Sequence, residues 1–249
     1  MRRVFERPES LKPTPFRYCP GCGHSLIHRL ITESIDELGL REKIIGIAPV
    51  GCAVFAYDYF KCDMLEVPHG RPPAAATAMK RVLPDRIIFS YQGDGDLAAI
   101  GTAEIIHAAA RGENISIFFV NNATYGMTGG QMAPTTLLGQ RTSTTLKGRD
   151  AAVTGYPLRM SEILATIEGA AFIARASVDS PKNLLTTKAH IQKAFRYQIE
   201  EKGFSFVEIL SPCPTDWGLT PEASLKWIQT DMMTVYRLGI LKDRYGLHE

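Results

Sequence analysis

Two apolar, β-branched runs bracket a helix-forming stretch in the middle of this chain, and that arrangement constrains its fold more than any other feature. Arg86–Tyr91 (RIIFSY) and Ile115–Val120 (ISIFFV) lack the apolar–polar alternation of a half-exposed strand. They read as strands buried on both faces. Between them Leu97–Ala110, rich in Ala, Ile and Leu, reads as a helix. Strand, helix and strand in this order make a β-α-β unit, so the expected class is α/β, a mainly parallel sheet with helices on both faces.

The residues at the end of each strand point to chemistry. Gly93-Asp94-Gly95-Asp96 comes just after the first run, and Asn121-Asn122 closes the second. Both motifs therefore sit past the carboxyl ends of parallel strands, where open sheets place their ligands. Asp94 offers a carboxylate and Asn122 a side-chain carbonyl to a hard cation. Mg²⁺ takes one or two such oxygens from protein and the rest from phosphate and water. Glycines 93 and 95 let backbone approach phosphates closely. GDG alone is most often a tight turn; GDG with NN at two strand ends reads as a site for thiamine diphosphate held through Mg²⁺.

The rest of the chain continues the alternation. Helices are expected at Ser25–Leu38, Ala74–Val82, Pro181–Lys202 and, amphipathic and terminal, Pro221–Leu238; strands at Lys43–Ala48, Ala170–Val178 and Phe204–Leu210. Residues 53–73 and 123–161 read as loops, and a loop as long as the second is usually functional or covered by a partner. The chain divides into three segments: an extended, proline-rich arm at 1–17 suited to lying on a partner, an α/β domain at 18–218, and a helical extension at 219–249. At 249 residues, 45% hydrophobic, the chain can bury a sizeable core. A net charge of +2 gives no reason to expect nucleic acid or a membrane surface. No apolar run has spanning length and the N-terminus lacks a signal-peptide core, so a cytoplasmic protein is expected.

Five cysteines without an export signal favour metal or redox use over disulfides. Cys19 and Cys22 form a CxxC around Pro20-Gly21, a knuckle that can aim two sulfurs at one metal. Cys52 and Cys213 each come after an expected strand, as the GDG and NN motifs do. Spacing leaves zinc, a [4Fe–4S] cluster and unlinked thiols open. Cys62 reads as a spare thiol.

Taken together, Tyr18–His24 (YCPGCGH), Val50-Gly51-Cys52, His69-Gly70-Arg71, GDGD at 93–96, NNATYGMTGGQMAPTT at 121–136 and Ser211-Pro212-Cys213-Pro214 resemble the β subunit of 2-oxoacid:ferredoxin oxidoreductases over residues 17–218. The resemblance implies that Cys19, Cys22, Cys52 and Cys213 ligate one [4Fe–4S] cluster. It implies that Asp94, Asn122 and the Thr124 carbonyl hold Mg²⁺, and that Gly51, Cys52, His69, Gly93, Gly95, Asp96, Gly126 and Met127 line the thiamine. Asp96 could instead cap the following helix. Met127 is the candidate polarizable group near the thiazolium.

The activity so implied is thiamine- and coenzyme A-dependent oxidative decarboxylation of a 2-oxoacid, with electrons leaving to ferredoxin. The chain has no stretch for a second thiamine-binding domain, so an α subunit is expected to supply the pyrimidine-activating glutamate, with γ and ferredoxin-like δ subunits as further partners. The stretch Tyr125–Gln140 (YGMTGGQMAPTTLLGQ) looks most like subunits acting on 2-oxoisovalerate or 2-oxoglutarate. Some relatives carry lysine where this chain has Gly129, and its absence tilts the reading toward an apolar side chain. Two other classes compete: a non-oxidative thiamine decarboxylase or ligase subunit with structural zinc, and a zinc-stabilised binding module, which leaves GDG–NN without a purpose.

Overall fold

The computed structural model describes residues 6–246. In chain order its elements are α1 (His24–Glu37), β1 (Ile44–Ala48), a 3₁₀ turn (Cys52–Phe55), α2 (Ala56–Tyr59), β2 (Asp63–Glu66), α3 (Pro72–Val82), β3 (Ile87–Gly93), a π-helical turn (Gly95–Ile100), α4 (Thr102–Ala110) and β4 (Ser116–Asn121). They continue with α5 (Ala151–Thr154), α6 (Met160–Thr166), β5 (Ala170–Ser177), α7 (Pro181–Ile199), β6 (Phe204–Leu210), α8 (Pro214–Trp217), α9 (Pro221–Trp227), a second π turn (Ile228–Met232), α10 (Met233–Val235) and β7 (Gly239–Asp243).

The strands form one sheet in the order β2-β1-β3-β4-β6-β5-β7. Every pairing is parallel except β7 on β5. Alternate residues of each inner strand enter opposite cores, as the two-residue strand period requires. Phe89, Tyr91, Phe118 and Val120 face Ile27, Ile31 and Phe195 on one side, among residues of α1 and α7. Ile88, Ile117 and Phe119 face Ala76, Ile105 and Leu164 on the other, among α3, α4 and α6. Two covered faces explain why these strands read as unbroken apolar runs.

Three expectations change. The single helix expected over Leu97–Ala110 is a π turn followed by α4, with the Gly101 amide donating to the Asp96 carbonyl at 2.8 Å. A side chain at Gly101 would stand 2.7 Å from the Gly70 carbonyl, so backbone meets backbone there. The 53–73 loop contains β2, a largely exposed edge strand whose sequence, DMLE, carries no apolar pattern. The 219–249 extension is not all helix: its helical part is broken by the second π turn, and the chain then forms β7 on the edge of β5. Gly239, at φ 138°, adopts backbone few other residues reach. The described part of the N-terminal arm lies on this chain's own domain, where the Ser10 amide donates to Asp36 at 3.2 Å and the Lys12 amide to the Tyr59 carbonyl at 2.8 Å.

Candidate cofactor site

β1, β3, β4 and β6 are consecutive in the sheet and parallel, so all four end at one edge. β1 leads to Gly51-Cys52, β3 to Asp94, β4 to Asn122 and β6 to Cys213. At about 4.8 Å between neighbouring strands, these termini form a row of roughly 14 Å. Segments from opposite ends of the sequence thus meet at one ledge.

A cavity of 130 Å³ opens above it, lined by Gly51, Cys52, His69, Gly93, Asp94, Gly95, Asp96, Asn122, Thr124, Gly126 and Met127, along with His24 and Tyr125. All the expected Mg²⁺ and thiamine residues share this wall. Asp94 is buried, and its carboxylate accepts from the amides of Gly95 (3.0 Å) and Thr124 (3.2 Å) and from the Thr135 hydroxyl (2.7 Å). A carboxylate has about four acceptor positions, so one remains for a cation. Burial outweighs these donors and pushes Asp94 up to about 7. The Asn122 side-chain oxygen lies on the same Thr124 amide at 3.3 Å, and the Asn122 carbonyl accepts from the Trp217 indole at 3.0 Å. Gly51, at φ 93°, and Gly93 each have open space where a side chain would stand, which leaves backbone accessible from the cavity. At Gly95 the space is taken: a Cβ would come 2.1 Å from the Tyr125 ring.

Asp96 lines the cavity but does not cap a helix. Its carboxylate binds His69 through Nδ1, the Gly70 amide at 2.6 Å and the Gln92 side-chain amide at 2.6 Å, so it ties the His69 loop to β3. Met127 stands half-exposed at the mouth.

A second cavity of 190 Å³ adjoins the first, lined by Cys19, Cys22, Cys52 and Cys213. Cys52, His24, Asn122, Gly126 and Met127 belong to both walls. The CxxC knuckle reaches Cys213 because two glycines let it press on the 211–214 segment. A side chain at Gly21 would hit Pro221 at 2.6 Å and crowd Pro214 at 3.2 Å; at Gly23 it would hit the Ser211 hydroxyl at 2.3 Å. Burial, reinforced by mutual repulsion, pushes the Cys22 thiol up to about 11 and Cys52 up to about 12. Cys213 rises further, through burial and then Asp216, to which its thiol donates at 3.2 Å. Among the described residues no three His, Cys, Asp or Glu side chains stand close enough to grip a single metal ion. Cys62 lies apart, its thiol against the Met64 sulfur at 3.7 Å.

Several residues at the site were not anticipated. His24 is buried between the two cavities, its Nδ1 2.5 Å from the Tyr91 hydroxyl and its ring stacked on Tyr18. Burial lowers it to about 4, so it is neutral at neutral pH. Its place at the end of the YCPGCGH block is the only sequence signal. Thr135 lies within the 121–136 block, and Asp216 carries no motif of its own, although it stands close after Cys213.

A family model described as "Thiamine pyrophosphate enzyme, C-terminal TPP binding domain" matches residues 50–209. That span holds the Asp94–Asn122 pair and Cys52 but stops short of the other three clustered cysteines. Ketoisovalerate oxidoreductase subunit VorA of Methanothermobacter thermautotrophicus is 48% identical over 97% of this chain and 50% of its own length. Its counterpart in Methanothermobacter marburgensis is 47% identical over 98% and 51%. The chain thus spans about half the length of these curated relatives. The 2-oxoglutarate synthase subunit KorB of Methanocaldococcus jannaschii is 36% identical over 82% of this chain and 72% of its own length. Among solved structures, the 2-oxoglutarate:ferredoxin oxidoreductase of Magnetococcus marinus shares the fold at a TM-score of 0.76 and 24% identity, covering 96% of this chain and 85% of that one. With the cofactor ledge, the domain match and these relatives together, the chain belongs to the 2-oxoacid:ferredoxin oxidoreductase family, as a thiamine diphosphate-binding β subunit of the VorA and KorB type.

Proposed function

We propose that this chain is the thiamine-binding half of an enzyme that oxidatively decarboxylates a branched-chain 2-oxoacid such as 2-oxoisovalerate to its acyl-coenzyme A and CO₂, with electrons leaving to ferredoxin. The observation that carries the reading is the shared wall: Cys52 lines both the Asp94–Asn122 cavity and the four-cysteine cavity. Thiamine diphosphate supplies a carbanion for the 2-oxoacid ketone, and a [4Fe–4S] cluster takes up electrons singly.

The chain's own residues position and shield these groups. Asp94, Asn122 and the Thr124 carbonyl offer oxygens for Mg²⁺, and the open acceptor position on buried Asp94 suits a cation that neutralises it. Gly51 and Gly93 leave backbone open to a diphosphate, and Gly95 and Gly126 line the same wall. His69, tied by Asp96, and Met127 line the same cavity and would border the bound cofactor. Cys19, Cys22, Cys52 and Cys213 ring a cavity rather than converging on a point. That favours a cluster, which takes thiolates at separate corners, over zinc, which needs four at about 2.3 Å. The two VorA relatives support the branched-chain substrate, as does the glycine at 129, where some relatives carry lysine.

An α subunit supplies the pyrimidine-activating glutamate in this reading, with γ and δ subunits relaying electrons. The test is the chain purified anaerobically with its partners. About four irons with matching sulfide at these cysteines, counted apart from partner clusters, and ferredoxin reduction dependent on both 2-oxoisovalerate and coenzyme A are expected. Zinc in place of iron, or no reduction with any 2-oxoacid, overturns it.

A further inference from the structure

Two charged side chains are buried under the cofactor ledge and take no part in the proposed reaction. Arg175 on β5 and Glu208 on β6 are register partners in the sheet, and each is almost fully buried. The Arg175 Nε donates to Glu208 Oε2 at 2.9 Å, and its Nη1 to Glu162 at 2.9 Å and to the Arg237 carbonyl at 3.2 Å. Buried ion pairs rarely outdo apolar packing in stability; their best-attested role is specifying one arrangement over another.

The other side of Glu208 shows what is specified. Its Oε1 accepts from the Asn121 side-chain amide at 2.7 Å, while the Ser161 hydroxyl donates to Oε2. An arginine can only donate and a carboxylate facing it only accepts, so the Asn121 nitrogen must face Glu208. The Asn121 oxygen then faces the other way, where it accepts the Ala123 amide at 3.0 Å. Flipped, Asn121 would set donor against donor at Ala123.

Ala123 needs this support. It is fully buried at φ 55°, left-handed backbone that a non-glycine residue holds only where its surroundings over-determine it. Its carbonyl is held by the Thr136 hydroxyl at 2.7 Å and the Gln140 amide at 3.1 Å. The reversal it makes returns the next amide, Thr124, to Asp94 (3.2 Å) and Asn122 (3.3 Å). We propose that Glu208, oriented by Arg175, is a positioning residue: it dictates which way the Asn121 amide points, and so holds the turn at Ala123 that sets Asn122 and Thr124 beside Asp94. This rests on the reading of Asp94 and Asn122 as the Mg²⁺–diphosphate site.

Glu208→Gln tests it with almost no change in shape. The glutamine oxygen must face Arg175, its nitrogen then faces Asn121, and the polarity of the relay inverts. In the intact complex, the dissociation constant for thiamine diphosphate at fixed Mg²⁺ should rise by about ten-fold or more. Amide exchange over residues 121–125 should quicken while that of β3 and β6 stays slow. Adding Ala123→Gly, which accepts positive φ freely, should recover most of the affinity. Affinity within two-fold of the parent, or a loss that the glycine leaves untouched, overturns the proposal. If Glu208→Gln does not fold, Asn121→Ala carries the same expectations, including recovery by Ala123→Gly. Asp94→Ala separates the two readings: loss there without loss in Glu208→Gln sinks the positioning role alone. No loss in Asp94→Ala sinks the metal reading, and exchange at 121–125 still decides whether Glu208 holds the loop.

Discussion

The two adjoining cavities differ in how far they are finished. Around Asp94 nearly every polar group already has a protein partner: three donors on the carboxylate, the Trp217 indole on the Asn122 carbonyl, and Asp96 binding His69, Gly70 and Gln92. Around the cysteines, burial holds the thiols of Cys22, Cys52 and Cys213 protonated, and the Cys213 thiol donates to Asp216. The first cavity is pre-organised by backbone and strand register. In the second, burial disfavours the charged forms of Cys22, Cys52 and Cys213, and the metal centre proposed there would be linked to their deprotonation.

The largest effect expected from this contrast is at Asp94. Asp94→Ala should weaken thiamine diphosphate binding by about a hundred-fold, the upper end for loss of metal-site partners, and leave the iron content of the cysteine cavity unchanged. Calorimetry and iron analysis on one preparation check both; parallel loss of the two would mean that the cavities fold as one unit. Cys213→Ala, confined to the second wall, should remove iron while thiamine diphosphate binding stays within a few-fold. Cys52→Ala, on both walls, should impair both.

A smaller effect concerns pH. Without a cation, burial holds Asp94 at about 7 against its usual 3.8. A carboxyl raised by folding contributes stability that is complete below about pH 4 and is lost as pH climbs through 7. Mg²⁺ needs the carboxylate, so its binding with thiamine diphosphate should strengthen over the same climb and release a proton. Asp94→Asn removes the titration. The difference in unfolding temperature between the cofactor-free parent and this variant should therefore drift in the variant's favour from pH 5 to 8, and a constant difference would contradict the raised value. The smallest effect belongs to Cys62, outside both cavities: Cys62→Ser should leave iron and thiamine binding unchanged and shift stability by no more than about 1 kcal/mol.

Legibility in the sequence tracked burial. β6 reads directly as Phe204–Leu210, and β3 and β4 to within two residues, because strands buried on both faces must be apolar throughout. β2 and β7 escape notice because edge strands need no apolar pattern; β7 comes after a stretch that reads as one amphipathic helix, broken in the structure by a π turn. At the site, the motif residues were legible because their chemistry narrows the choice of side chain: a carboxylate and an amide for a hard cation, glycine where phosphate meets backbone. Glu208 and Arg175 were not, since a charge that serves a neighbour across the sheet leaves no local pattern; nor was Asp216, a single carboxylate three residues after Cys213.

The amino-acid sequence by itself determined the α/β class, the position of GDG and NN at strand ends, and the presence of a CxxC with other cysteines far along the chain. Those are consequences of local periodicity and side-chain chemistry. It did not decide whether the cysteines meet, nor what orients Asn121. Strand order settled the first: β1, β3, β4 and β6 end side by side at one edge, where Cys19, Cys22, Cys52 and Cys213 line one cavity and Cys52 also lines the Asp94 wall. Register settled the second, by setting Arg175 against Glu208 one strand away from Asn121. Both are long-range pairings, and the hydrogen bonds of a parallel sheet connect residues that no window of sequence contains together.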